Sequence, residues 1–343
     1  MKRESRNNWL AALGAGALMA ATTLYANRRG NYSLEGRVVL ITGGSRGLGL
    51  LLARHAAAEG AKVAICARDA DELERARREL AADGTEVIAL VRDLTDATAV
   101  RTLVTEVQGH LGPIDVLVNN AGIISTGPLD NMEGRDYQDS MDTHFWAPLH
   151  AMQAVLPDMR RRGAGRIINI ASLGGKVAVP HLVPYSASKF ALVGLSEGFR
   201  SELYKYGIRV TTVCPGLMRT GSPRHAIIKG QHRKEYAWFM VADSLPVLSM
   251  DANTAARQIW NACRRGDAEL ILGLPAKLLA AFHGLFPGTA ADLLGWVNRS
   301  LPKPTANDWG DVRRRGSELE TPLTRSWVTT LTQEAAEENN ELD

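Results

Sequence analysis

From residue 37 to residue 273, short apolar runs alternate with helical periods, and this alternation narrows the fold more than any other feature of the chain. The runs are "RVVLIT" (37–42), "KVAICA" (62–67), "TEVIALV" (85–91), "IDVLVN" (114–119), "RIINIA" (166–171), "IRVTTV" (208–213) and "AELILG" (268–273). Each has the length and composition of a buried strand. Helical periods lie between them, at 47–59, at 70–83 ahead of Gly84, and from Asp96 to about His110. Strands without a polar face, joined by helices, need crossover connections and a parallel sheet covered on both sides. The expected class is α/β, with a doubly wound parallel sheet of about seven strands. No internal repeat divides the chain, so 35–273 reads as a single domain.

The first strand runs directly into "GGSRGLG" (43–49), which opens the first helix. A helix start presents unbonded N–H groups and the positive end of its dipole. A dinucleotide pyrophosphate docks there when no side chain covers the backbone. Gly43, Gly47 and Gly49 supply that clearance in the spacing T-G-x-x-x-G-x-G from Thr42 to Gly49. A glycine motif alone is weak, but here strand, turn and helix are all readable. The sheet is therefore read as Rossmann-type and the turn as a nucleotide site.

Composition sets the remaining bounds. A net charge of +3 over 343 residues gives no reason to expect a nucleic-acid partner. Cys66, Cys214 and Cys263 are scattered in apolar surroundings without metal-ligand spacing. They are expected to be reduced core residues, and no metal is expected.

More motifs follow in order: "RDLTD" (92–96), "NNAG" (119–122), "NIAS" (169–172), "YSASK" (185–189) and "PGLMRT" (215–220). With "TGGSRGLG" (42–49) they resemble the short-chain dehydrogenase/reductase family, in its single-domain branch, over about residues 35–273. The resemblance implies a nicotinamide cofactor and a carbonyl/alcohol oxidoreductase. By that resemblance Thr42, Gly43, Ser45, Arg46, Gly47, Leu48 and Gly49 form the cofactor turn. Asp93, with Leu94 beside it, contacts the adenine. Asn120, Ala121 and Gly122 line the cofactor site and tie the central strands together. Pro215, Gly216 and Thr220 hold the nicotinamide carboxamide. Ser172, Tyr185 and Lys189 match the catalytic serine, tyrosine and lysine, the last two also facing the cofactor. His144, in "MDTHFWAP" (141–148), stands where the family usually carries an asparagine. That asparagine helps hold a water linking the lysine to solvent, largely through its backbone carbonyl, which a histidine keeps. His144 is counted with the catalytic set. Its ring is open to two readings, packing or an altered proton path.

The chemistry of these residue types agrees. Tyr185 and Lys189 are four apart and share one helix face. A free tyrosine, with a pKa of about 10, is a poor acid/base at neutral pH, and a nearby ammonium lowers that value. Tyr185 could then exchange a proton with the substrate oxygen as hydride moves, with Ser172 bonded to the same oxygen.

The turn also carries an arginine. In NAD-preferring relatives the second strand ends in an acid that binds the ribose hydroxyls. Here Ala67 takes that place, Arg68 follows, and Arg46 faces the same ribose, with Asp69 expected to cap the next helix. Two guanidinium groups without a carboxylate suit a 2′-phosphate. Hydrogen bonds to charged groups contribute about 1.5–3 kcal/mol each, so the expected cofactor is NADP(H). A non-catalytic NADPH-binding regulatory protein is the alternative. A sugar-nucleotide epimerase of the larger-domain branch disagrees with the glycine spacing.

Residues 217–246 are expected to form a variable lid, carrying Met218, Trp238, Phe239 and Met240 beside Arg219, Arg224, Lys229, Arg233 and Lys234. Such a lid fits a bulky lipophilic carbonyl or alcohol, with or without an anionic end, and it fits equally an ordinary lid whose charges face solvent. His225 and His232 are expected to be solvated. Residues 1–34 hold an uncharged run of 18 at 9–26, flanked by Lys2, Arg3, Arg6, Arg28 and Arg29. That run just reaches spanning length and is read as an apolar helix and candidate membrane anchor. Residues 274–305 read as a C-terminal extension of two apolar helices broken at Pro287-Gly288. The polar tail at 306–343 is read as disordered. The expected location is a membrane surface with the catalytic domain facing the cytoplasm, although the basic clusters flank 9–26 on both sides. The family's habit implies a homodimer or homotetramer.

Overall fold

The apolar runs form the strands that the sequence predicts. In the computed structural model, which describes residues 32–343 except 83, 245–248, 306–307, 322–323, 325–328 and 343, seven strands make one sheet. They are β1 (Val38–Thr42), β2 (Lys62–Ala67), β3 (Val87–Val91), β4 (Ile114–Asn119), β5 (Gly165–Ile170), β6 (Ile208–Pro215) and β7 (Glu269–Leu272). Their order is β3-β2-β1-β4-β5-β6-β7, with every neighbouring pair parallel. The chain reverses its direction of travel across the sheet between β1 and β4. In open α/β sheets a crevice forms at such a point, outside the strands' carboxyl ends.

Both faces of the sheet are covered, which explains the absence of polar alternation. Val39, Ile41, Val63, Ile65 and Val118 pack against α1 (Gly47–Ala58) and α8 (Ala252–Arg265). Val38, Leu40, Ala64, Cys66 and Leu117 pack against α3 (Ala97–Leu111) and α5 (Ala147–Arg162). α2 (Ala70–Ala81) joins β2 to β3, and α4 (Gly134–Met141) precedes α5. The three cysteines are buried and free, as expected. The helix α6 (Val183–Leu203) carries the YSASK motif, and α7 (His232–Ser244) lies in the expected lid.

The two ends behave differently. The 9–26 run lies outside the described residues. Among those described, no helix is long and apolar enough to cross a membrane. After β7, α9 (Leu274–Leu285) and α10 (Pro287–Asn298) form the expected pair, with Pro287 opening the second helix. Its preset φ and missing N–H suit that first position. Only Ala276 and Ala290 are buried in this pair, whereas Leu285 and Trp296 are 74% and 69% exposed.

The tail corrects the expectation of disorder. Arg314–Arg315 pairs antiparallel with Ile227–Ile228, and α11 (Thr330–Glu338) buries Thr332 and Ala336. Asn339 and Glu341 are also buried. Polarity misleads here because the tail is held mainly by hydrogen bonds to particular core residues, which composition does not register. The Ser244 and Thr332 hydroxyls bond at 2.8 Å, and the Arg54 guanidinium donates to the Glu338 carbonyl at 2.7 Å and the Asn339 side chain at 3.0 Å.

Candidate active site

The turn after β1 is fixed by the loop after β4. Asn120 Nδ2 donates to the carbonyls of Thr42 and Gly43 at 3.1 and 2.9 Å. Thr42 Oγ1 accepts from the Asn120 and Ala121 amides at 3.0 and 3.1 Å. Glycine is required at two points by this packing. A Cβ on Gly43, where φ is +64°, would lie 2.9 Å from Ala121 Cα, and one on Gly49 would lie 1.9 Å from the Gly43 carbonyl oxygen. Ser45 and Leu48 are buried in the same turn.

Gly47 opens α1 with φ +55°. Its amide donates to the Asn339 carbonyl at 2.9 Å, and a Glu341 carboxylate oxygen lies 3.0 Å from where a Gly47 Cβ would stand. The same carboxylate accepts from the Gly221 amide at 2.5 Å. The first amide of α1 thus meets an acceptor oxygen, with the Glu341 carboxyl beside it, where a dinucleotide pyrophosphate is expected, which fits a nucleotide site.

At the ribose end the structure corrects the sequence. Arg46 pairs with the Glu72 carboxylate at 2.5 Å, and the Ser45 hydroxyl donates to the same group at 3.1 Å. The expectation of two guanidinium groups and no carboxylate missed Glu72. Asp69 does cap α2, accepting from the Glu72 amide at 2.9 Å. The D-x-x-E spacing at 69–72 was the available signal, since such spacing places the acid in the first helical turn. Arg68 is exposed. Asp93 Oδ1 accepts from the Thr95 amide and hydroxyl at 3.0 and 2.9 Å, and Leu94 is half-buried beside it.

Ser172 follows β5. Its hydroxyl accepts from the Gly174 amide at 3.0 Å and bonds the Tyr185 side chain. Gly174, missed by sequence reasoning, packs closely here, since a Cβ on it would lie 3.1 Å from Tyr185 Cε1. Lys189 is buried and donates to the Ile170 carbonyl at 2.9 Å, its ammonium 5.6 Å from the Tyr185 ring centre. Burial brings Lys189 down to about 7 and raises Tyr185 above its usual value, against the opposing bond from Ser172. In the chain alone desolvation thus outweighs the expected lowering of Tyr185 by Lys189. The consequence is a protonated tyrosine near neutral pH.

His144 lies fully buried on a π-helical turn, Asp142–Trp146. Its Nε2 accepts from the Ile123 amide at 3.1 Å. The Ser188 hydroxyl donates to the Tyr185 carbonyl at 2.8 Å, so it accepts from His144 Nδ1 at 2.7 Å. These two bonds fix the neutral Nδ1–H tautomer. The ring meets Tyr185 edge-on, at 5.4 Å and 88°. A Cβ on Gly122 would lie 3.2 Å from Nε2. Burial, and then the Lys189 ammonium, hold the imidazole well below its ordinary pKa. The ring is thus held between Ile123 and Ser188 and packs edge-on against Tyr185.

Of the carboxamide loop, Gly216 donates its amide to the Leu272 carbonyl at 3.1 Å and Pro215 ends β6. Thr220 is buried and donates to the Ser222 hydroxyl at 2.7 Å. The lid's basic residues are largely engaged within the chain. Lys229 is buried on Asp136 at 3.0 Å, Arg224 pairs with Glu320, and Arg219 donates to the Ser249 carbonyl at 2.9 Å. Phe239 and Met240 join Tyr236 and Leu319 in a small core. His232, expected to be solvated, is buried with Nε2 2.7 Å from the Val312 carbonyl. His225 Nε2 lies 3.2 Å from the Glu341 carbonyl.

Comparison with known proteins agrees with this geometry. Residues 37–227 match the sequence profile of the short chain dehydrogenase family. Gluconate 5-dehydrogenase of Gluconobacter oxydans is 38% identical over 189 residues, covering 55% of this chain and 74% of that protein. The structure resembles L-sorbose reductase of Gluconobacter frateurii complexed with NADPH and L-sorbose, with TM-score 0.64, 27% identity, and coverage of 71% of this chain and 97% of that one. It also resembles actinorhodin polyketide ketoreductase with NADPH, with TM-score 0.63, 31% identity, and coverage of 69% and 95%.

A buried imidazole of depressed pKa gives a testable sign. Unfolding frees His144 to protonate at its ordinary value of 6.5, so its contribution to stability is lost as pH falls below about 6.5. His144→Asn should therefore flatten the acid decline of the urea midpoint between about pH 7.5 and 5. Equal acid slopes in the two proteins would contradict a neutral, buried ring.

Proposed function

Because the chain belongs to the short-chain dehydrogenase/reductase family, whose members are nicotinamide-dependent oxidoreductases, we propose that it interconverts a lipophilic carbonyl and its alcohol with NADP(H). The observation that carries this reading is the convergence of Ser172, Tyr185 and Lys189 on the side of the sheet where the glycine turn opens α1 with an amide that takes an acceptor oxygen. Bound NADPH supplies the hydride. Tyr185 is protonated near neutral pH and gives its proton to the carbonyl oxygen, with Ser172 bonded to that oxygen. Lys189 holds an ammonium behind the ring while the pH stays below about 7.

NADP(H) is favoured by Arg46, Arg68 and the absence of an acid at Ala67, and by NADPH in two similar structures. Arg46 must share itself between Glu72 and a 2′-phosphate. The relatives' names point to different substrates, so the lipophilic substrate rests on the α9–α10 pair. Leu278, Leu285, Phe286, Leu293 and Trp296 are all more than half exposed there. A patch of this kind marks an interaction surface. A Cβ on Gly216 would lie 2.9 Å from the α9 residue Ala276, so the pair begins against the carboxamide loop. A bilayer meeting the pair, with the 9–26 run as a second attachment, would deliver an apolar substrate beside the site. Buried free thiols and NADP(H) suit a catalytic domain on the cytoplasmic side.

Tyr185→Phe should lower kcat by about 10²- to 10⁴-fold in ketone reduction while the Kd for NADPH stays within about twofold. NADPH should exceed NADH in kcat/KM. Unchanged turnover would refute the proton donor, and equal or better efficiency with NADH would refute the cofactor preference. For attachment, the full chain should sediment with membranes and be released by detergent. Recovery in the high-speed supernatant without detergent, unchanged by deletion of residues 1–30, would contradict it.

A further inference from the structure

The C-terminal tail fills the cleft that the proposed cofactor needs. Gly47 spends its amide, the first of α1, on the Asn339 carbonyl at 2.9 Å. Asn340, in a left-handed conformation with φ +58°, donates to the carbonyls of Ser45 and Glu72 at 2.8 and 3.0 Å. Its side-chain oxygen accepts from Arg75 at 2.8 Å. Glu341 reaches the opposite wall and takes the Gly221 amide at 2.5 Å, next to Thr220. Three successive residues thus bridge the glycine turn and the carboxamide loop. Gly221 makes room for them, since a Cβ there would lie 2.6 Å from Glu341 Cβ and 2.8 Å from Ala336 Cβ.

We propose that residues 330–342 form an autoinhibitory strap, in which the Asn339 carbonyl and Glu341 carboxylate stand in for the cofactor's pyrophosphate. Binding of the dinucleotide must displace them. The proposal rests on the nucleotide-site reading given above. Its logic is exclusion: the Gly47 amide has one hydrogen, and a carbonyl and a phosphate oxygen cannot both accept it in line. A carboxylate also meets the same helix dipole that a phosphate would use. The seat holds its anion poorly, because burial and the nearby Glu72 raise Glu341 to about 7 even with the Gly221 amide, Arg46 and Arg224 opposing. Asp243, also buried, is raised in turn by Glu341. An occupant held on these terms can be exchanged for a better anion. Apparent cofactor affinity is then the intrinsic affinity multiplied by the fraction of molecules with the strap open.

The test is NADPH binding to the full chain, followed by fluorescence, together with hydrogen exchange over residues 332–342. Asn340→Ala/Glu341→Ala should tighten the Kd about 5- to 100-fold, with Glu341→Gln between it and the wild type. Saturating NADPH should speed exchange at 332–342 in the wild type, while exchange in β1 and β4 is not accelerated in any variant. A Kd that is equal or weaker in the double variant, with exchange at 332–342 unchanged or slowed by NADPH, would overturn the strap and make the tail part of the closed site. If neither protein bound NADPH or NADH, the nucleotide-site reading would fall and the strap with it. If only the variants bound, the strap would be supported in its strongest form.

Discussion

The bonds between Asn120 and the backbone of Thr42 and Gly43 are the joint on which the rest of the site depends. They fasten the end of β1 to the loop after β4 at the point where the sheet order reverses. Gly43 and Gly49 must be glycine because the chain passes so close to itself there. Gly47 then starts α1 with its amide turned into the cleft. Across the sheet a second polar run continues the tie. Asn119 Nδ2 donates to Asn169 Oδ1 at 2.8 Å, and Asn169 Nδ2 donates to Ser196 at 3.0 Å, linking β4 and β5 to the catalytic helix α6. Ser172 and Lys189 are thereby held in one frame with the turn.

Within that frame, burial sets the ionisation. Removing Tyr185 and Lys189 from water favours the neutral form of each. The same desolvation keeps His144 neutral, so its ring serves as a two-ended bracket between Ile123 and Ser188. An asparagine side chain spans less distance than an imidazole. The π-helical turn widens the helix at this residue, as such turns often do near functional sites.

Much of this was legible in the sequence, because sheet and motifs are local. All seven strand runs fall within two residues of the observed bounds at both ends, with "IRVTTV" extended by Cys214 and Pro215 in β6. Ser172, Tyr185 and Lys189 come together as their spacing implied. The failures involve pairs far apart in sequence. Glu72 pairs directly with Arg46 across 26 residues; the D-x-x-E spacing places the acid in the first turn of α2 but does not name its partner. Asn340 reaches Ser45 across 295 residues. A tail rich in acids reads as solvated until the amides and arginines that receive it are in view. The basic rim expected on the lid misses Lys229 for the same reason, since it is charged in sequence but paired with a buried Asp136 in the fold.

The family match ends at residue 227, and the α9–α10 pair and the tail lie beyond it. Both proposals about them build on a nicotinamide site, and the central claim is hydride transfer from the cofactor to the carbonyl carbon with Tyr185 as proton donor. The most direct measurement of that claim is reduction of an apolar ketone with NADPH deuterated at C4, analysed by mass spectrometry and NMR. The account predicts deuterium on the carbinol carbon of the alcohol, delivered from one C4 position only. An alcohol without the label from either C4 position, or bound NADPH that is never oxidised by any ketone or aldehyde, would contradict it.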